Sequence, residues 1–129
     1  AASDVYKRQA RDTMETEVFL SGQMDLLFYP ELEHTGARQV MDFLERKADV
    51  VRLLGQKPGR VTILIGRECG RPELADCSVV IGRYSVDGQD AGALGVIGPG
   101  RMDYPKLTAL TQYLAQRVGS MLTVLMKEE

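Results

Sequence analysis

The residues able to do chemistry are few and scattered. His34 is the single histidine. It lies in a polar stretch, Glu33–Gly36, with no serine and aspartate set that would make a triad with it. A histidine so placed reads as a surface residue rather than a general base. Cys69 and Cys77 are the two cysteines, and their spacing fits neither a zinc site nor a redox pair. Two free thiols are the simpler reading, with a disulfide left open. The glycines at 92, 95, 98 and 100 suggest a nucleotide loop. Three of them, however, interrupt an apolar run of strand character, and Gly-x-x-x-x-Gly-Lys-Ser/Thr is absent. Glycines that allow close backbone approach or a bulge are the better account. No catalytic set, metal site or cofactor is expected, so the chain is not read as an enzyme.

Two segments carry more information. Ile65-Gly66-Arg67-Glu68 places charged residues at the end of an apolar strand, where functional side chains are common; a strand running out into solvent is the plainer reading. Gly98-Pro99-Gly100-Arg101-Met102-Asp103-Tyr104 joins an apolar strand to the start of a long helix. Its glycines and proline fix a turn, and Arg101 and Asp103 can pair with each other or with Glu68. The helix start offers unpaired N–H groups and partial positive charge to an anion or carboxylate. The segment is either a ligand site or interdomain latch, or a rigid corner and helix cap. Physics alone favours the corner.

The positioning elements follow from periodicity. Glu17–Ser21 is β-rich and ends at Gly22, which predicts a strand. Gln23–Tyr29 has helical spacing at Met24, Leu27 and Phe28 and stops at Pro30, while Glu33–Gly36 is a loop. Ala37–Leu54 is a helix with Val40, Met41, Leu44, Ala48, Val51 and Leu54 on one face and Gly55 as its stop. Asp42, Glu45, Arg46, Lys47 and Asp49 fall mostly on the opposite face, as a solvated surface. Val61–Ile65 and Ser78–Val86 are strands. Asp87-Gly88-Gln89-Asp90 turns the chain into a return strand, Gly92–Gly98. Pro105–Lys127 is the second strong helix, with Pro105 at its first position and Tyr104 extended before it. Leu107, Leu110, Leu114, Val118, Met121, Leu122 and Leu125 form a stripe expected to pack on the sheet. The element order predicts an α+β domain with a mostly antiparallel sheet packed by amphipathic helices.

Composition sets the outer limits. The chain has 129 residues, 44% hydrophobic and 26% charged, enough for one folded domain. Its 16 basic residues are dispersed among 18 acidic ones, for a net charge of −2. That balance argues against nucleic-acid binding by this piece alone. No apolar run reaches membrane-spanning length and no signal-peptide pattern appears, so a soluble cytoplasmic protein is expected. Residues 1–9 (Ala-Ala-Ser-Asp-Val-Tyr-Lys-Arg-Gln) look like the translated scar of a sequencing adapter. They are set apart as a non-native leader, leaving 10–129 as part of a longer chain's domain.

At Gly95-Val-Ile-Gly98-Pro99-Gly100-Arg101-Met102-Asp103-Tyr104 the sequence resembles the HrcA repressor family. The family's C-terminal signature reads much like Gly-Val-Ile-Gly-Pro-Thr-Arg-Met-Asp-Tyr, and Gly100 is the one departure. Pro30-Glu31-Leu32, Leu44-Glu45, Ile65-Gly66-Arg67-Glu68, Cys77–Tyr84 and Gly92–Gly95 resemble further family segments in order. The resemblance spans roughly Val18 to Leu125. It implies an incomplete GAF-like domain whose regulatory signature is Gly66, Glu68, Gly95, Gly98, Pro99, Arg101, Met102, Asp103 and Tyr104. It also implies a homodimer that represses chaperone operons at the CIRCE operator through a winged helix-turn-helix domain absent here, with the GroEL chaperonin keeping it active. A GAF-like domain that senses a small molecule is the alternative.

Overall fold

The computed structural model describes residues 17–22, Leu32, 34–55 and 60–127. In chain order these form α1 (His34–Glu45), α2 (Lys47–Leu54), β1 (Val61–Ile65), two short 3-10 turns (Gly66–Cys69 and Pro72–Leu74), β2 (Cys77–Val86), β3 (Gln89–Pro99) and α3 (Tyr104–Lys127). The fold is α+β, as the element order predicted, and partially GAF-like, as the resemblance implied. Its antiparallel sheet runs β1-β2-β3.

The β2–β3 connection is local chemistry. Asp87 and Gly88 both take positive φ, 54° and 81°, as a two-residue turn of matching twist requires. Pairing begins at Val86↔Gln89 and, after a bulge at Tyr84/Ser85, runs to Cys77↔Pro99. Gln89 and Asp90, expected in the turn, already belong to the strand.

β2 is covered on both faces, so Cys77–Gly82 are all buried. On one face Cys77, Val79 and Ile81 join Leu64, Cys69 and Leu74. They meet Ala37, Val40, Phe43, Leu44, Val50 and Leu53 of the first two helices. Adjacent strand residues point to opposite faces, so Ser78, Val80 and Gly82 turn toward α3. That helix buries Thr111, Ala115 and Gly119, one line of small residues four apart. A Cβ on Gly82 would sit 2.7 Å from Thr111 Cγ2 and 3.0 Å from its carbonyl oxygen. A Cβ on Gly119 would sit 2.5 Å from the Ser85 carbonyl oxygen. Helix and strand approach this closely because neither residue has a side chain.

Several expectations are corrected. The leucine-rich stripe is not the face that seats α3 on the sheet: Leu110, Leu114, Met121 and Leu125 are 45%, 40%, 57% and 55% exposed. Small residues win because only they permit the short helix–strand distance. The helix expected over Ala37–Leu54 is broken at Arg46, whose backbone is extended (φ −90°, ψ 98°) and whose side chain is held by Asp49 and Glu73. His34–Gly36 is helical rather than loop. The glycine penalty of ~1 kcal/mol is small beside the burial of Ala37, Val40 and Phe43. Tyr104, not Pro105, is the first helical residue, because Asp103 caps the helix one position earlier than the proline rule suggests. Glu17–Ser21 is not a strand. β-propensity takes effect only through pairing, and Phe19 stands 87% exposed. Gln23–Tyr29 lies outside the described residues.

The seam makes a paired prediction. Gly119→Ala will destabilise the protein by about 1–3 kcal/mol, as overpacking does, because the obstructing atom is backbone. Thr111→Val at the same seam will be neutral or stabilising by up to ~1 kcal/mol. The Thr111 Oγ1 is buried without a hydrogen-bond partner, and removing an unsatisfied hydroxyl removes its desolvation cost. Thermal denaturation of the two variants checks both signs.

Candidate functional site

The turn from Gly98 to Tyr104 is anchored at both ends. Gly98 and Pro99 are buried at the end of β3. The Met102 sulfur folds back to within 2.8 Å of where a Gly98 Cβ would stand, so a side chain there would have to displace the flexible Met102 thioether. Asp103 starts α3: its Oδ1 accepts from the Lys106 N–H at 3.2 Å, and its carbonyl accepts from the Leu107 N–H at 2.9 Å. This caps donors that the first helical turn leaves open.

Tyr104 fastens the corner to the sheet. Its hydroxyl donates to the Gly100 carbonyl. The Ser78 hydroxyl, fully buried on β2, lies 2.8 Å from the same oxygen. With the tyrosine proton directed to Gly100, Ser78 is the donor of this second bond. One phenol thus joins the central strand, the turn and the first turn of α3. Sequence reasoning selected Tyr104 but missed Ser78, which sits 26 residues away.

Gly66 and Glu68 do different work nearby. Gly66 has φ +58°, and a Cβ there would meet the Ala75 carbonyl at 3.0 Å. The Glu68 Oε1 accepts from the Ile65 N–H at 3.1 Å, closing the 3-10 turn that follows β1. Gly95 sits in mid-β3 beneath Leu54 of α2. Arg101 and Gly100 are exposed. A cleft of about 920 Å³ opens elsewhere, lined by Gly55, Arg60, Arg83, Tyr84, Gln112 and Gln116 among others, with no lining residue from Gly98–Tyr104.

A second polar centre includes Arg46 and Asp49, which were read in the sequence as solvated surface. Arg46 bridges Asp49 at 2.7 Å and Glu73 at 2.9 Å; Arg71 bridges Glu73 at 3.1 Å and Asp49 at 3.5 Å. The four charges form a closed ring. Both guanidinium carbons lie 5.6 Å from the centre of the buried Phe43 ring, within cation–π range. The ring ties the α1–α2 break to the second 3-10 turn. The Arg46 hydrogen bond, followed by the Arg71, Arg46 and Arg52 charges, holds the Asp49 carboxyl below its ordinary range against some desolvation. For Glu73, desolvation pushes upward but is outweighed by the Arg71 hydrogen bond, a backbone bond and both arginine charges. Position 71 and the 3-10 fold bring these groups together, and no local pattern announced either.

Cys69 and Cys77 are buried thiols, and the Cys69 Sγ donates to the Leu64 carbonyl at 3.7 Å. Desolvation raises both thiols, Cys77 to about 11, with further contributions from Cys69 and Asp76. Thiols in that state carry little thiolate at neutral pH and are poor nucleophiles. Among the described residues no group of His, Cys, Asp and Glu can hold a metal, and no helix is long and apolar enough to cross a membrane.

Two measurements check this geometry. Tyr104→Phe leaves the buried Ser78 hydroxyl without its partner and will cost about 1–3 kcal/mol. Adding Ser78→Ala will cost less than the two single changes summed, so a double-mutant cycle that comes out additive rejects the bond. The arginine ring sets the acid response. Both carboxyls are depressed in the folded state, so their stabilisation is full above the ordinary carboxylate pKa of about 4. It is lost as pH falls through their lower folded values. Asp49→Asn will flatten the loss of thermal stability as pH falls from about 4 through those lower values.

The family described as HrcA protein C-terminal domain matches residues 1–108. Relatives named heat-inducible transcription repressor HrcA include one from Desulfitobacterium hafniense, 34% identical over 110 residues, covering 84% of this chain and 32% of that protein. Another, from Symbiobacterium thermophilum, is 37% identical and covers 81% of this chain and 31% of that protein. A third, from Nocardia farcinica, is 42% identical over 87 residues, covering 66% and 25%. The chain therefore spans about a third of the length of the curated relatives it matches. A solved structure, described as that of a hypothetical protein at 2.2 Å resolution, shares the fold with a TM-score of 0.71 at 23% identity, over 84% of this chain and 33% of that one. The chain belongs to the HrcA family and corresponds to that family's C-terminal domain.

Proposed function

We propose that this chain is the GAF-like regulatory part of a heat-inducible transcription repressor, a dimer that holds chaperone operons silent from the CIRCE operator. The observation that carries this reading is its similarity, over 84% of its length, to a protein named as such a repressor. Operator contact belongs to an upstream winged helix-turn-helix domain. The net charge of −2 supports leaving phosphate contact to another part of the protein.

On this reading the domain works by its stability and has no catalytic step of its own. Two DNA-binding heads must be held at half-site spacing, and the domain behind them sets that geometry only while folded. A difference of a few kcal/mol between competent and incompetent forms moves the population far. The GroEL chaperonin maintains the competent form in the cytoplasm until heat fills it with other clients. Gly66, Glu68, Gly95, Gly98, Pro99, Arg101, Met102, Asp103 and Tyr104 serve as structural and regulatory residues, the last six forming the corner that fixes α3.

A hybrid tests this reading: the upstream two thirds of the Desulfitobacterium hafniense relative joined to this chain. It will shift a duplex carrying the inverted-repeat operator and release it on heating, through the unfolding transition of the C-terminal part. The 129-residue chain alone will leave the duplex unshifted. A folded, dimeric hybrid that ignores the operator sinks the proposal, as does one that holds it unchanged through that transition.

A further inference from the structure

Among the described residues, β1 pairs with only part of β2. Val61 lies across from Gly82, and the last rung runs from the Arg83 N–H to the Arg60 carbonyl at 2.9 Å. β2 itself continues to Val86. Past that rung Tyr84 and Ser85 border the cleft of about 920 Å³, together with Gln112, Gln116 and Ser120 of α3. These three helix residues recur at four-residue steps, so they share one face. The seam residues Ala115 and Gly119 also border it, and their small size leaves the space open. A Cβ on Gly92 would run into the Tyr84 phenol, so that ring leans toward β3 and does not fill the cleft.

The lining has a sign. Arg60 and Arg83 stand on the sheet side, and Asp90 is the one carboxylate among the described lining residues. Two guanidiniums against one carboxylate make a local positive surplus in a chain of net charge −2. Arg83 is fixed in place: it donates to the Leu54 carbonyl at 3.0 Å and lies 3.7 Å from Asp90. A group already ordered costs less to use in binding. Arg60 is exposed at the rim. The helix wall offers amides and a hydroxyl, which both donate and accept. The sheet face under α1 and α2 is filled by the apolar core, whereas this side holds space of the size that small-molecule sites have, roughly 300–1,000 Å³.

We propose that the cleft binds a small phosphorylated metabolite, its phosphoryl group between Arg60 and Arg83 and its hydroxyl-bearing body against Gln112, Gln116 and Ser120. A phosphoryl group carries up to two negative charges and three strong acceptor oxygens. The planar guanidinium fork matches that geometry. A phosphate ion alone would leave most of the cleft empty, and the amides of α3 call for an organic body with hydroxyls to meet them. A molecule held this way links the start of β1 to α3 across the narrow seam. It binds the folded form and therefore stabilises it. The site is built from this chain's own residues and is independent of the repressor reading.

Calorimetric titration and amide spectra of the 129-residue chain test the site, with a pentose phosphate, a hexose bisphosphate and adenosine monophosphate as ligands. At least one ester will bind, raise the melting temperature and move the signals of Arg60, Arg83 and the Gln112 and Gln116 side chains. Arg60→Ala will weaken that ester at least tenfold and leave the melting of the unliganded chain unchanged, since the side chain is exposed. Arg38→Ala, on α1 across the sheet, will leave the affinity as it is. The same titrations on the hybrid, read by calorimetry and melting, keep the answer independent of how well the isolated chain folds. Failure of all three esters to bind either protein overturns the inference. So does inorganic phosphate or succinate binding as tightly as the best ester, since the cleft is then only a charged patch. Equal affinity in Arg60→Ala, or signals that move on the α1–α2 face instead, overturns it as well.

Discussion

The fold depends on how closely α3 can lie on β2. Gly82 on the strand and Gly119 on the helix remove the two Cβ atoms that would hold them apart. Thr111 and Ala115 fill the space between. The approach is fixed at both ends by hydrogen bonds. At the helix start, Tyr104 holds Ser78. Near its end, the Thr123 hydroxyl accepts from the Asp87 N–H of the hairpin turn at 3.1 Å and donates to the Gly119 carbonyl at 2.8 Å. Seam and clamps set the position and direction of a 24-residue helix. A seam of small residues carries a consequence: the larger side chains of the same helix are placed on its flanks. The exposed leucines and methionines follow from the close approach, not from weak packing.

This explains what the sequence revealed and what it concealed. The strands, the Asp87-Gly88 hairpin and the extent of α3 were legible because each is encoded locally, by alternation, by turn chemistry and by an unbroken apolar period. The packing face of α3 was not. Periodicity reports the widest apolar stripe, whereas contact distance selects the smallest side chains. The break at Arg46 was equally hidden. No glycine or proline marks it, and its cause is a pair of carboxylates, one of them Glu73, 27 residues along the chain. Glu17–Ser21 shows the converse case, strand propensity without strand pairing.

The corner was found by resemblance, yet its physical content is mostly backbone. The Gly100 carbonyl, not a side chain at that position, receives the Tyr104 proton. A Cβ at Gly100 would meet nothing within 4 Å. The threonine that the resembling signature carries there would therefore fit without disturbing the turn, and glycine in its place leaves the corner's bonds intact. What the corner does require is a phenol at Tyr104 and a cap at Asp103, while a side chain at Gly98 would have to displace Met102. Those residues bring a strand, a turn and a helix to one point.

The two faces of the sheet are held by different forces, and temperature acts on them differently. The α1–α2 face carries the main apolar core and the closed arginine–carboxylate ring around Phe43. The penalty for desolvating such charges falls as temperature rises. The α3 face rests on a narrow seam with two glycines, each of which loses about 0.5–1 kcal/mol more than alanine in backbone entropy on folding, a cost that grows with temperature. Regions with little buried apolar contact are the first to open. On the proposed reading, α3 and the corner at its start form the heat-sensitive layer of the domain.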